Sequence, residues 1–211
     1  MPATSGKAVP IYPFELAMGG TANAAQRRLA EKASQTFKIG VPVQVEVASG
    51  YIIEAAAMTS SATGFLAGFS TEPANNLSSS GVAKTLTYGS VQNQSAAVLI
   101  PAGAPPNDGT IGLHLAIDST VFIGKLGNGS DGTLAVLAQT MLGLIYGLTK
   151  DAGNGFWYID MNKTAVSGGA VVQITDLLVG QFIGSKVQAI SDVNPYLAFK
   201  VLHAAQQLSG N

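Results

Sequence analysis

From Phe37 onward the chain takes up a hydrophobic period of two. Ile39, Val41, Val43, Val45 and Val47 alternate with Lys38, Gly40, Pro42, Gln44 and Glu46. That spacing turns one set of side chains to a core and the other outward, so it predicts a half-buried strand. Pro42 has no amide to donate, which predicts an edge position or a break. Ser49-Gly50 predicts a turn that returns the chain along Tyr51–Glu54, and Gly64–Phe69 reads as another short strand. The pattern is cleanest after Gly109, where Ile111, Leu113, Leu115 and Ile117 oppose Gly112, His114, Ala116 and Asp118. Val121–Leu126, Phe156–Met161 and Ala170–Ile174 follow as further strands.

Other segments break the period. Pro2, Pro10 and Pro13 oppose regular structure over residues 1–20, while Ile11, Tyr12, Phe14 and Leu16 make that arm adhesive. Thr21 reads as the N-cap of a short helix over 22–34, whose one large apolar residue is Leu29. Residues 73–108 are rich in Pro, Ser and Asn and read as a connector holding two short strands, 84–88 and 97–100. Asn194–His203 fits two templates: a helix opened by Asn194-Pro195, or a strand in which Leu197, Phe199 and Val201 alternate.

The elements together predict a mainly β fold, a compact barrel or sandwich of short strands with an extended N-terminal arm and one short helix. The arm and helix occupy 1–36 and the β domain 37–211. A weak repeat lays 63–70 on 142–149 and 39–55 on 121–137. It suggests two lobes, 37–72 and 109–160, joined by the connector 73–108.

Composition narrows the function classes. The 211 residues can bury roughly 70% of their unfolded surface without staples. There is no cysteine, which excludes disulfides, thiolate metal sites and thiol catalysis. Charged residues are 11% of the chain, against about 25% in ordinary domains, and the net charge is −1. No basic stripe exists to hold a phosphate backbone, so nucleic acid is not an expected partner. Mean hydropathy is +0.31, yet the longest uncharged span, Gly132–Thr149, falls short of the ~20 apolar residues of a transmembrane helix. The N-terminus has no apolar run of signal-peptide length. A cytoplasmically made protein whose surface is covered in an assembly is expected, with no membrane partner.

One stretch imitates chemistry. Gly127-Asn128-Gly129-Ser130-Asp131-Gly132 spells G-x-G-x-x-G between a strand-like and a helix-like run, with Asp151 about twenty residues on. Against a dinucleotide site, no strand–helix alternation continues past Asp151. Asn128-Gly129 and Asp131-Gly132 are also hairpin dipeptides, so the hairpin reading is preferred. His114 and His203 lack metal-ligand spacing, and no G-x-S-x-G presents a serine. No catalytic, cofactor or metal residue is assigned, and the chain is expected not to be an enzyme. Trp157, Tyr158 and Tyr51 could stack on a sugar, although an aromatic-rich strand beside a turn is more often core.

A family pattern remains. Ser34-Gln35-Thr36-Phe37-Lys38-Ile39-Gly40-Val41-Pro42-Val43 leads into a Gly-Tyr hairpin, and Gly64–Pro73 ends in Ala74-Asn75-Asn76. Ser119-Thr120-Val121-Phe122-Ile123-Gly124 precedes Gly143–Leu148 and Gly155–Asp160. In this order the segments resemble the head decoration, or capsid cement, proteins of tailed bacteriophages. The resemblance implies a strand at 196–202. It also implies a structural role on the exterior of an icosahedral capsid, bridging major capsid protein subunits in the virion. It favours a homotrimer, with a dimer as the other arrangement. Ile11, Tyr12, Phe14 and Leu16 are the candidate capsid contacts, or else cover for the chain's own core. If they are contacts, deleting residues 1–18 leaves the β domain folded and weakens attachment. Other readings are a tail or head-fibre protein and a carbohydrate-binding β module.

Overall fold

The computed structural model describes residues 9–14, 25–56, 66–74, 110–129, 135–165, 169–183 and 187–208, with the backbone alone at 83–84, 98–99 and 186. The protein is mainly β, as the alternation predicts. β1 (Tyr12–Pro13) belongs to the arm. A first sheet holds β2 (Gln26–Ala30), β3 (Pro42–Val45), β4 (Ile52–Glu54), β5 (Gly68–Ser70) and β8 (Thr110–Leu115) in the order β2-β8-β5-β3-β4. A second sheet holds β9 (Phe122–Gly127), β10 (Ile145–Lys150), β11 (Trp157–Thr164), β12 (Val172–Asp176) and β15 (Tyr196–Val201). Its order is β9-β11-β10-β12-β15, and β15 pairs again with β9, so the sheet closes into a barrel. Two small ribbons, β6–β7 (Ala83–Lys84 and Val98–Leu99) and β13–β14 (Phe182–Ile183 and Lys186–Val187), stand outside both sheets.

The two sheets share one circular topology. Numbering the five strands of each by chain order, both run 1-5-4-2-3, and strand 3 returns parallel to strand 1. In the barrel that return is the pairing of Leu126 with Ile159. In the first sheet it is the single bridge between Glu31 and Ile52. The ribbons occupy the same place in each, between strands 4 and 5. The hairpins β3–β4 and β10–β11 turn identically: Gly50 N–H donates to Glu46 O at 2.7 Å, and Gly155 N–H to Asp151 O at 2.8 Å. Both glycines have left-handed φ, 72° and 74°, which a side chain rarely adopts. The repeat suggested by the sequence therefore takes another register, relating 42–54 to 147–159. The strands also divide differently from the expected lobes, because β8 completes the first sheet while β12 and β15 complete the barrel.

Two local expectations are corrected. Residues 26–30 form a strand, not a helix, and pair with β8 from Gln26↔His114 to Ala30↔Thr110. A segment with one large apolar residue has little helical face to bury, and β8 offers it a full ladder of hydrogen bonds. β3 lies inside its sheet, between β5 and β4, with Pro42 at its first position, where a missing donor is tolerated. The C-terminal run is the strand β15, and its alternation holds: Leu197, Phe199 and Val201 are buried on the barrel's inner face.

One contiguous core serves both sheets. Phe122, Leu126, Leu148, Trp157, Ile159, Phe199 and Val201 fill the barrel, and Val43, Ile52, Ile111 and Leu113 fill the first sheet. Phe69 joins them. It shares its sheet face with Pro42 and His114, opposite Val43 and Leu113. Its ring packs on Phe122 at 4.5 Å and on Phe199 at 6.0 Å between centroids. Around this contact, Glu54 of β4 accepts from Lys150 Nζ at 2.7 Å and from Trp157 Nε1 at 3.0 Å. The segment after β15 returns to the first sheet, where Gln207 bonds both the amide and the carbonyl of Val45. The arm crosses the same junction, since Ile11 N–H donates to Gly40 O while Tyr12 pairs with Ile123.

Because Phe69 fills space between two units, Phe69→Ala should cost about 3–5 kcal/mol, the usual penalty for emptying an aromatic site. Equilibrium denaturant unfolding measures it. A loss below about 1 kcal/mol would mean that the two sheets do not depend on this ring.

Candidate functional site

The glycine motif starts at the end of β9. Gly127 pairs with Asp160 of the parallel strand β11. A Cβ at Gly127 would lie 2.3 Å from the Tyr158 ring, so glycine is needed there for strand packing. Gly129 has φ 58°; its N–H donates to Asp160 Oδ1 at 2.9 Å, and its carbonyl accepts from the Tyr158 hydroxyl at 2.6 Å. Asp160 is 3% exposed, and its other oxygen accepts from the Thr149 hydroxyl at 2.7 Å. A dinucleotide turn would aim the Gly129 amide at a phosphate. Here a carboxylate already holds that amide, and its negative charge opposes any phosphate brought to it. The segment that follows is no long helix: Val136 bridges to Val193, and Gln139–Met141 is a single 3-10 turn. The expected hairpin is also corrected. β9 and β10 are not neighbours, because β11 lies between them, so the glycines open a crossover connection.

The arm residues separate. Ile11 is fully buried in the shared core, against Gly124, so it covers the chain's own interior and is not offered to a partner. Tyr12 and Phe14 are half-buried on a small outer cluster with Ile123, Leu178 and Ala198. Leu16 lies outside the described residues. The expectation that residues 1–18 can be removed without harm to the fold changes accordingly: a deletion through residue 14 takes Ile11 from the core and β1 from β9.

The sugar platform is corrected as well. Trp157 is 1% exposed with its indole N–H spent on Glu54, and Tyr158 is 3% exposed over Gly127. Both are core, leaving Tyr51 half-buried at a turn. His203 stands on the surface, its Nδ1 3.1 Å from Asp118. His114, expected on a polar face, is buried beside Phe69, and its Nδ1 has no hydrogen-bond partner among the described residues. Burial lowers its pKa by disfavouring the imidazolium. Among the described residues no three His, Asp or Glu side chains gather as metal ligands, and no helix is long and apolar enough to cross a membrane.

What the barrel does present is apolar surface. Eight of the nine large hydrophobics exposed among the described residues lie between Val136 and Val193, the exception being Val47. Phe182, 69% exposed, stands opposite Val187 across the ribbon β13–β14. A shallow cavity of about 150 Å³ beside the ribbon is lined by Lys125, Ile183, Gln188, Val193, Asn194 and Tyr196. Gln188 fixes the ribbon's base, donating to the carbonyls of Leu177 and Tyr196 and accepting from Tyr196 N–H. The sequence reading missed this surface, because 177–195 has neither a period of two nor one of 3.6. The available signal was compositional: apolar residues set among glycines, with no charge between Asp176 and Lys186.

Three outcomes follow. Gly127→Ala should destabilise the protein by about 1–3 kcal/mol through overpacking on Tyr158, while millimolar NAD or ATP should leave the wild-type melting temperature unchanged. A nucleotide-induced rise would restore the phosphate site. Because burial lowers the His114 pKa in the fold, the unfolded chain takes up its proton first, so stability is full above an unfolded pKa of about 6.5 and falls as pH drops from there toward the lowered folded value, at up to ~1.4 kcal/mol per pH unit. His114→Gln should flatten that segment of a stability-versus-pH curve, and an unchanged slope would remove His114 as its source. Removing residues 1–14 should lower stability by about 2–5 kcal/mol through the loss of Ile11, whereas a chain starting at Val9 retains it.

Comparison with known proteins gives no relative on which to rest a function: the chain matches no protein-family model, no curated protein and no solved structure.

Proposed function

We propose that the chain is a structural protein of a virus particle, decorating and stabilising the outside of an icosahedral phage capsid by bridging major capsid protein subunits. The observation that carries this reading is that eight of the nine large hydrophobics exposed among the described residues lie between Val136 and Val193, on a chain with only 11% charged residues. Such a surface is built to be covered by protein. The framework motifs that resemble capsid cement proteins supply the choice of partner. The mainly β architecture is compatible with that choice without being specific to it, since one fold hosts many functions.

In this role the chain acts by multivalency. A homo-oligomer, a trimer in the favoured form and a dimer in the other, engages several shell subunits together, so modest contacts combine into high avidity. Apolar, weakly charged contacts also resist salt better than ion pairs do. Nothing in the role calls for a cofactor, and the chain works on the virion exterior after synthesis in the host cytoplasm.

The test is quantitative mass spectrometry of purified native particles, taking the molar ratio of this chain to the major shell subunit. A ratio of order one is expected. A few copies per particle would assign the chain to a tail or head fibre, and its absence would defeat the virion reading.

A further inference from the structure

We propose that Asn128-Gly129 is a self-modification site, where the Asp160 carboxylate acts as general base and converts Asn128 through a succinimide to aspartate and isoaspartate. The chain holds two Asn-Gly pairs, 128–129 and 154–155, and a glycine precedes each, so both sites read Gly-Asn-Gly. A glycine after asparagine has no Cβ to hinder its amide nitrogen as it attacks the side chain before it. The fold sets the two pairs in opposite states. At 154–155 both reacting groups are tied: Asn154 Oδ1 accepts from Phe156 N–H at 2.9 Å, and Gly155 N–H donates to the Asp151 main-chain carbonyl at 2.8 Å, a neutral oxygen that takes no proton. At 128–129 the Gly129 N–H donates to a carboxylate oxygen, Asp160 Oδ1, at 2.9 Å. The Asn128 side chain is half-buried and has no hydrogen-bond partner among the described residues, so it can turn its Cγ toward that nitrogen. Asp160 is 3% exposed and held by Asn162 N–H at 3.0 Å and the Thr149 hydroxyl at 2.7 Å, while the Tyr158 hydroxyl fixes the Gly129 carbonyl at 2.6 Å. Base and amide are thus positioned before the reaction starts.

The step balances with water as its only co-reactant. The amide proton lies in the peptide plane and the nitrogen attacks from the face of that plane, so the bond to Asp160 does not block the attack. As the Gly129 nitrogen bonds to Asn128 Cγ, its proton passes to Asp160 and from there to the departing Nδ2. The Cγ–Nδ2 bond breaks and ammonia leaves. Water then opens the succinimide ring at either carbonyl, giving aspartate or isoaspartate at 128. Either product adds one negative charge to a chain of net charge −1 and sets a second carboxylate near Asp160, where like charges oppose each other. Isoaspartate also lengthens the main chain by one methylene, just after Gly127 pairs with Asp160 of the parallel strand. The event therefore acts on the seam through which β11 joins β9. It draws on neither the apolar ribbon nor the virion reading, so it stands or falls without them.

The full wild-type chain is held at neutral pH, folded in buffer and unfolded in guanidinium chloride, and sampled over weeks by peptide mapping that separates asparagine, aspartate and isoaspartate. Denaturant gives each Gly-Asn-Gly site the rate set by its sequence alone. In the fold, residue 128 should convert faster than in denaturant and residue 154 more slowly. Asp160→Asn keeps the shape and a hydrogen-bond acceptor but not the base, and should slow conversion at 128 by about a hundredfold relative to the folded wild type. Should that variant misfold, the folded-against-unfolded comparison in the wild-type chain decides alone. Conversion at 128 that is no faster in the fold than in denaturant overturns the proposal. So does a folded Asp160→Asn chain that converts at the wild-type rate.

Discussion

The structure depends on one aromatic contact made between a closed barrel and a second sheet. Phe69 leaves the outer face of the first sheet and completes the interior of the barrel beside Phe122 and Phe199. Neither unit is large, and a five-stranded unit of this size buries a smaller share of its surface than a chain of twice the length. Sharing one core removes that handicap. The polar links around it, Glu54 with Lys150 and Trp157 and Gln207 with Val45, fix the angle at which the two pack. Each contributes modestly, since partly exposed pairs of this kind are worth about 1 kcal/mol or less.

Both ends of the described chain reinforce the same junction. Ile11 enters from the N-terminal side between Gly40, where a Cβ would collide with Pro10 and the Ile11 amide, and Gly124, where one would lie 3.1 Å from the Phe199 ring. The segment following β15 comes back from the other side to Leu66. The segment after β15 and residues 10–12 of the arm thus act as straps across one seam. This is why Ile11, which looked adhesive in the sequence, is spent internally.

Alternation located most strands because a period of two is a direct record of a one-sided core. It placed β8, β9 and β11 well, while at β15 it left helix and strand both open until Leu197, Phe199 and Val201 were found pointing inward. It failed where the deciding term was non-local. Gln26–Ala30 is extended because β8 needs a neighbour, which its own residues do not announce. Gly127 and Gly129 read as a hairpin because the sequence cannot display β11 lying between β9 and β10, with Tyr158 and Asp160 against those glycines. The ribbon was invisible to periodicity, since Phe182 and Val187 are exposed and only Ile183 packs on the small outer cluster. The first two failures share a cause: residues far apart in sequence competed for the same backbone groups and won.

The repeated topology bears on symmetry counting. Each chain carries two five-stranded units of the same circular order, with a ribbon at the same place in each. A ring of n such chains therefore sets 2n related units around its axis, and three chains would approximate a sixfold arrangement while remaining strictly threefold. Covalent linkage also frees the two units to diverge, and they have: one donates Phe69 outward, the other receives it. A protein of this kind can meet a surface with a rotational order twice its own, without every contact having to be the same.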